Sequence, residues 1–167
     1  MFELKILSRE AVPSALAKVE RYRLLNEPAQ AESICLDILA AEPDHQQALV
    51  MLALTQADQF DKDPRRFQGS LETVAKLTDP YERNYYTGVM WERRAKARMD
   101  LGGYGANNIA HEWYMEAMRW YEKAEAIRPH GNDDSLLRWN TCARFLNSHP
   151  AAHQAASAEM YEPQLLE

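Results

Sequence analysis

The chain has 167 residues, 46 % of them hydrophobic and 26 % charged, enough for one domain with a sizeable core. Its 24 Ala, 18 Leu and 16 Glu, against 15 Val, Ile and Thr together, favour helix formers and exclude disorder, collagen-like repeats and most all-β sandwiches. A formal charge of −6 removes the global positive field on which non-specific nucleic-acid binding relies.

Prolines and capping residues divide the chain into seven helical stretches. The first runs from about Ser8 or Pro13 to Leu25, with Leu16, Val19 and Tyr22 or Arg23 on one stripe. Asn26 can take the left-handed conformation that ends it, and Pro28 suits the first turn of the second helix, to Ala41. Asp44 with Gln47 resembles a capping box opening a third helix through Gln59. The charged loop FDKDPRRF follows, then a shorter fourth helix over about 68–77. Asp79-Pro80-Tyr81-Glu82 combines a cap, a proline at the first helical position and an acid that can reach back; it opens a fifth helix to Leu101. Three glycines in Gly102-Gly103-Tyr104-Gly105 cannot be helix interior. A sixth helix covers about 109–127 and a seventh about 134–147. No strand pattern of alternating apolar and polar residues is read anywhere. The expected fold is all-α, one domain over 1–150, with 151–167 as a C-terminal tail, partly helical or disordered.

The N-terminal MFELKILSRE has no cationic stretch followed by an apolar run, so it does not read as a secretory signal. The longest purely apolar run, Ala48 to Leu54, is far short of a membrane span. Cys35 and Cys142 sit in helical segments and read as small core residues rather than a disulfide. A cytoplasmic protein that binds neither nucleic acid nor membrane is the expectation.

The sixth helix carries Ala117-x3-Tyr121-x2-Ala124-x4-Pro129. Small residues let two helices approach, the aromatic fills the gap and the proline stops the helix. The spacing recurs at Ala31, Cys35, Ile38 and Pro43, and more weakly at Gln68, Glu72, Ala75 and Pro80. Tyr22 and Tyr86 fall at large-residue positions of first helices. In these features the chain resembles a degenerate tetratricopeptide repeat (TPR) protein. The resemblance implies antiparallel helix pairs stacked as a short right-handed solenoid, with a concave face that holds a protein or peptide. A self-assembling helical-repeat protein and a helical enzyme acting on small molecules are the alternatives.

Signals for catalysis are weak. His149 and His153 have metal-ligand spacing, but Pro150 lies between them and no third ligand follows. His111 and Glu112 are adjacent and point apart on a helix. The glycine loop follows no strand and lacks the closing Gly-Lys-Ser/Thr of a phosphate loop. No enzyme activity, metal or cofactor is expected. The candidate partner-binding residues lie on the fifth helix: Asn84, Thr87, Trp91, Arg94 and Arg98, spaced 3, 4, 3 and 4 apart as one stripe. Tyr85, Tyr86, Val89, Met90, Ala97 and Leu101 fall largely on other faces. Residues 81–102 hold five basic and three acidic side chains, a local +2. An arginine pair one turn apart can grip a carboxylate beside the flat ring of Trp91, which points to an acidic or C-terminal peptide segment. The competing reading of this stripe is a solvated basic face with Trp91 packed under the glycine loop.

Overall fold

Residues 2–150 are described in the computed structural model, and 72 % of them are helical with no strand. The expected tail, 151–167, lies outside the described residues. A 3-10 turn, Arg9–Ala11, leads into seven helices: α1 (Val12–Leu24), α2 (Pro28–Ala41), α3 (Gln46–Ala57), α4 (Arg66–Val74), α5 (Pro80–Leu101), α6 (Ala106–Glu125) and α7 (Asp134–Ser148).

The punctuation works as the residue types require. Asn26 takes φ 58°, and the amide of Glu27 turns back onto the Tyr22 carbonyl to close α1. Asp79 Oδ1 accepts from the Tyr81 amide at 2.8 Å. Gly102, Gly103 and Gly105 all have positive φ, which separates α5 from α6. Other details differ. The cap of α3 is His45, whose Nδ1 accepts from the Ala48 amide at 3.3 Å, not Asp44. Helix α4 starts and ends earlier than its periodicity predicts, and α6 begins at Ala106. One alternation does occur, near the N-terminus: Phe2, Leu4 and Ile6 interleave with Glu3 and Lys5. The segment lies in no helix, turn or bridge and pairs with no strand among the described residues.

Each helix packs on the next, and α1 also touches α3 and α3 touches α5. Two apolar clusters result. The first joins α1 through Val12, Ala15, Leu16 and Val19 to Ala31, Cys35 and Ile38 of α2 and to Ala48 and Leu52 of α3. The second runs from Leu49 and Ala53 of α3 to Cys142 of α7. Helix α3 feeds both, which explains the run Ala48 to Leu54: a helix with neighbours on opposite sides is apolar most of the way round.

The second helices share a spacing. Ala31, Cys35 and Ile38 are fully buried, as are Ala117, Tyr121 and Ala124. In α4 and the turn after it the buried set is Ser70, Val74 and Leu77, again four and three apart, whereas Gln68, Glu72 and Ala75 are exposed. The spacing expected at Gln68, Glu72 and Ala75 therefore falls on exposed positions, and the buried residues of α4 lie two positions later. Helices α5 and α6 make the longest contact. Tyr121 lies over Gly88, where a Cβ would stand 2.6 Å from the ring. Glycine at that position is what lets the two backbones approach.

Candidate partner-binding site

The loop 60–67 decides what one face of α5 meets. Phe60 and Phe67, at its two ends, are both buried, with ring centroids 5.8 Å apart. Asp63 holds the backbone amide and Nε of Arg65, and Arg66 clamps Glu32 of α2 at 2.7 Å, so both loop and α4 are tied down. Phe67 is thereby pressed against α5. Trp91 meets it edge-on, with centroids 4.7 Å apart, and packs against the second core. The expectation that the stripe is free of core packing fails at this residue.

Arg94 follows one turn later. Its guanidinium carbon lies 4.1 Å from the centroid of Phe67 and 4.0 Å from that of Trp113 on α6, an arginine wedged between two rings. Arg98 donates from one terminal nitrogen to the Gly102 carbonyl at 2.9 Å, closing the end of α5. Between them is a notch of about 60 Å³, walled by Phe60, Pro64, Leu101 and Trp113. Its only charged groups are the two guanidiniums. Among the described residues neither has a carboxylate within ion-pair distance. Burial lowers the pKa of Arg94 from its ordinary value, the direction expected for a cation left without a counter-charge. The structure thus brings Trp91, Arg94 and Arg98 together. Asn84 and Thr87 stand further toward the start of α5, and the Thr87 hydroxyl donates to the carbonyl of Arg83 on its own helix.

A second candidate lies on another face of α5 and was not legible in the stripe. Two adjoining hollows of about 500 and 540 Å³ share Asn26 and Asp58. Asp58, just past α3, takes Arg23 of α1 at 2.8 Å and Arg93 of α5 on its other oxygen. Glu92 accepts from the Tyr121 hydroxyl at 2.6 Å. Arg138 of α7 pairs with the same carboxylate at 3.3 Å, without the alignment of a hydrogen bond. Carboxylates and arginines therefore link α1, α3, α5 and α7 across this groove. The signal that could have found it is the spacing of Glu92, Lys96 and Asp100, four apart on one side of α5. Each of its three arginines already has a carboxylate partner, whereas among the described residues those of the notch have none. A carboxylate entering the notch gains two donors without displacing an existing acid.

The remaining candidates offer less. His149 stacks on Phe145 with centroids 4.3 Å apart, while His153 lies outside the described residues. No group of three or more His, Cys, Asp or Glu among the described residues could hold a metal ion, and no described helix is long and apolar enough to cross a membrane. Cys35 and Cys142 are unpaired and fully buried, and burial pushes both thiols up to about 12. Neither should react with a thiol reagent in the native protein at pH 8, and both should react once urea unfolds it. Rapid native labelling of either would show that its helix opens locally.

No protein-family model, curated protein or solved structure matches this chain.

Proposed function

We propose that the chain is a protein–protein interaction module, acting as an adaptor, an assembly factor or a subunit of a larger complex. In this reading its helix pairs, α1–α2, α3–α4 and α5–α6, stack as a short right-handed TPR-like solenoid. Support comes from the sequential packing, from the contacts of α1 with α3 and of α3 with α5, and from the shared buried spacing of the three second helices. The free, buried cysteines fit a reducing compartment, and a cytoplasmic location belongs to the same reading.

The observation that carries the binding role is the unneutralised guanidinium of Arg94 between Phe67 and Trp113, with Arg98 beside it. An arginine held flat by two rings has already lost much of its conformational freedom, so an incoming carboxylate meets a pre-oriented fork. The notch has room for a carboxylate, and its apolar walls suit a neighbouring aliphatic or aromatic side chain. The ligand class is an acidic or C-terminal peptide segment of a protein partner. Trp91 supports Phe67 from below, and Asn84 and Thr87 lie along the line such a segment would follow.

Selection of a random peptide library on the intact chain tests this. Enriched peptides should place a carboxylate next to a large apolar residue. They should lose tenfold or more in affinity, about 1.4 kcal/mol, to the double variant Arg94→Gln with Arg98→Gln. Melting the variant alongside the parent separates lost binding from lost fold, because Arg94 also packs between rings. Peptides without a carboxylate, or a folded double variant that binds as tightly as the parent, would refute the assignment.

A further inference from the structure

Five residues near the N-terminus are unexplained by the helical fold. Phe2, Leu4 and Ile6 are 101 %, 88 % and 90 % exposed, the most exposed run of large apolar side chains among the described residues. They lie in no helix, turn or bridge, and none of the described turn, loop or cap hydrogen bonds involves their backbone. Leu7, next in the chain, is partly buried against the cluster of α1, α2 and α3, so the segment is anchored at its far end. In a strand, Phe2, Leu4 and Ile6 would share one side, and Glu3 and Lys5 the other.

The charges limit what can pair with it. Suppose two copies of the segment align antiparallel with Leu4 opposite Leu4. Glu3 of each copy then faces Lys5 of the other, and Phe2 faces Ile6, so both ion pairs and the apolar face are satisfied together. Sliding the register by two residues sets Glu3 opposite Glu3 or Lys5 opposite Lys5. Sliding it by one places charged residues on the apolar side. Parallel alignment in register stacks like on like, and a parallel stagger of two residues keeps only one of the two ion pairs. The segment is therefore self-complementary in one orientation and one register.

We propose that residues 2–6 form an antiparallel two-stranded ribbon with the same residues of a second copy, giving a two-fold symmetric dimer. The described residues offer no strand for this segment to join, and a second copy supplies the missing edge. A two-stranded ribbon is marginal on its own, so the association is reversible and rises with protein concentration.

Cysteine crosslinking of the full chain tests both pairing and register. Opposed residues of an antiparallel pair have Cα atoms about 4.5–5.5 Å apart, within the range a disulfide spans. The native thiols are buried and do not compete. Under glutathione-buffered oxidation, Leu4→Cys should give a covalent dimer in a yield that Glu3→Cys alone does not approach. A mixture of Glu3→Cys with Lys5→Cys should give the mixed dimer. Charge reversal supplies the second arm. In the Leu4→Cys background, Lys5→Glu or Glu3→Lys should each lower the yield roughly tenfold, and mixing the two should restore it. Equal crosslinking at positions 3, 4 and 5 would reveal random encounter and overturn the proposal. So would charge-reversed variants that crosslink as well as the parent, or a wild-type chain that sediments as a monomer at every concentration up to the millimolar range.

Discussion

Gly88→Ala is expected to destabilise the chain, although alanine is favoured over glycine by about 1 kcal/mol in a helix interior. The new Cβ would stand 2.6 and 2.7 Å from two carbons of the Tyr121 ring. That ring is fully buried, touches Tyr85 and is held by its hydroxyl to Glu92 at 2.6 Å, so it has nowhere to move. Overpacking of this kind costs about 1–3 kcal/mol, which outweighs the propensity gain in all but the mildest case. Tyr121→Ala should cost more, about 3–5 kcal/mol, because it leaves a cavity between α5 and α6. Thermal and urea melts followed by far-ultraviolet circular dichroism measure both. In the double variant the two effects should fall well short of adding, since removing the ring removes the clash. A Gly88→Ala chain that melts above the parent would mean that α5 and α6 do not lie this close in solution.

Glu92→Ala should be the most damaging change to the groove. The carboxylate has 12 % of its side-chain surface exposed and serves both the Tyr121 hydroxyl and Arg138. Its removal leaves a buried hydroxyl without its acceptor and a guanidinium without its counter-charge. Losing one member of a buried pair typically costs about 3–5 kcal/mol, and the low end applies because Arg138 keeps 35 % of its side chain in solvent. Arg138→Ala should cost less, as Glu92 would retain the Tyr121 hydrogen bond. A denaturation series across the two single variants and the double variant gives the coupling directly. Coupling near zero would show that the pair contributes nothing and that Tyr121 alone holds the carboxylate.

Much of the local structure was legible without coordinates. Asp79-Pro80, Asn26 and the glycine trio each act through backbone chemistry that is complete within a few residues, so their sequence positions suffice. The buried triad at Ala117, Tyr121 and Ala124 was legible too, because residues four and three apart share one face of a helix. The triad of α4 was harder to place. Ser70, Val74 and Leu77 carry no aromatic, and the nearest proline aligned the pattern on exposed positions.

The candidate face divides in the same way. Helical periodicity establishes that Asn84, Thr87, Trp91, Arg94 and Arg98 share one side of α5, and the sequence alone determines that, together with the seven helices and most of their ends. It does not determine which neighbour each side meets. That depends on contacts distant in the chain: Phe60 and Phe67 fold back from the charged loop onto α5, and Trp113 closes over Arg94 from α6. The same tertiary packing turns Glu92 and Arg93 into the groove, where Asp58, Arg23 and Arg138 reach them from three other helices. A helix repeats its pattern every 3.6 residues whatever surrounds it, so only the assembled neighbours decide which arginines of α5 meet a carboxylate and which do not.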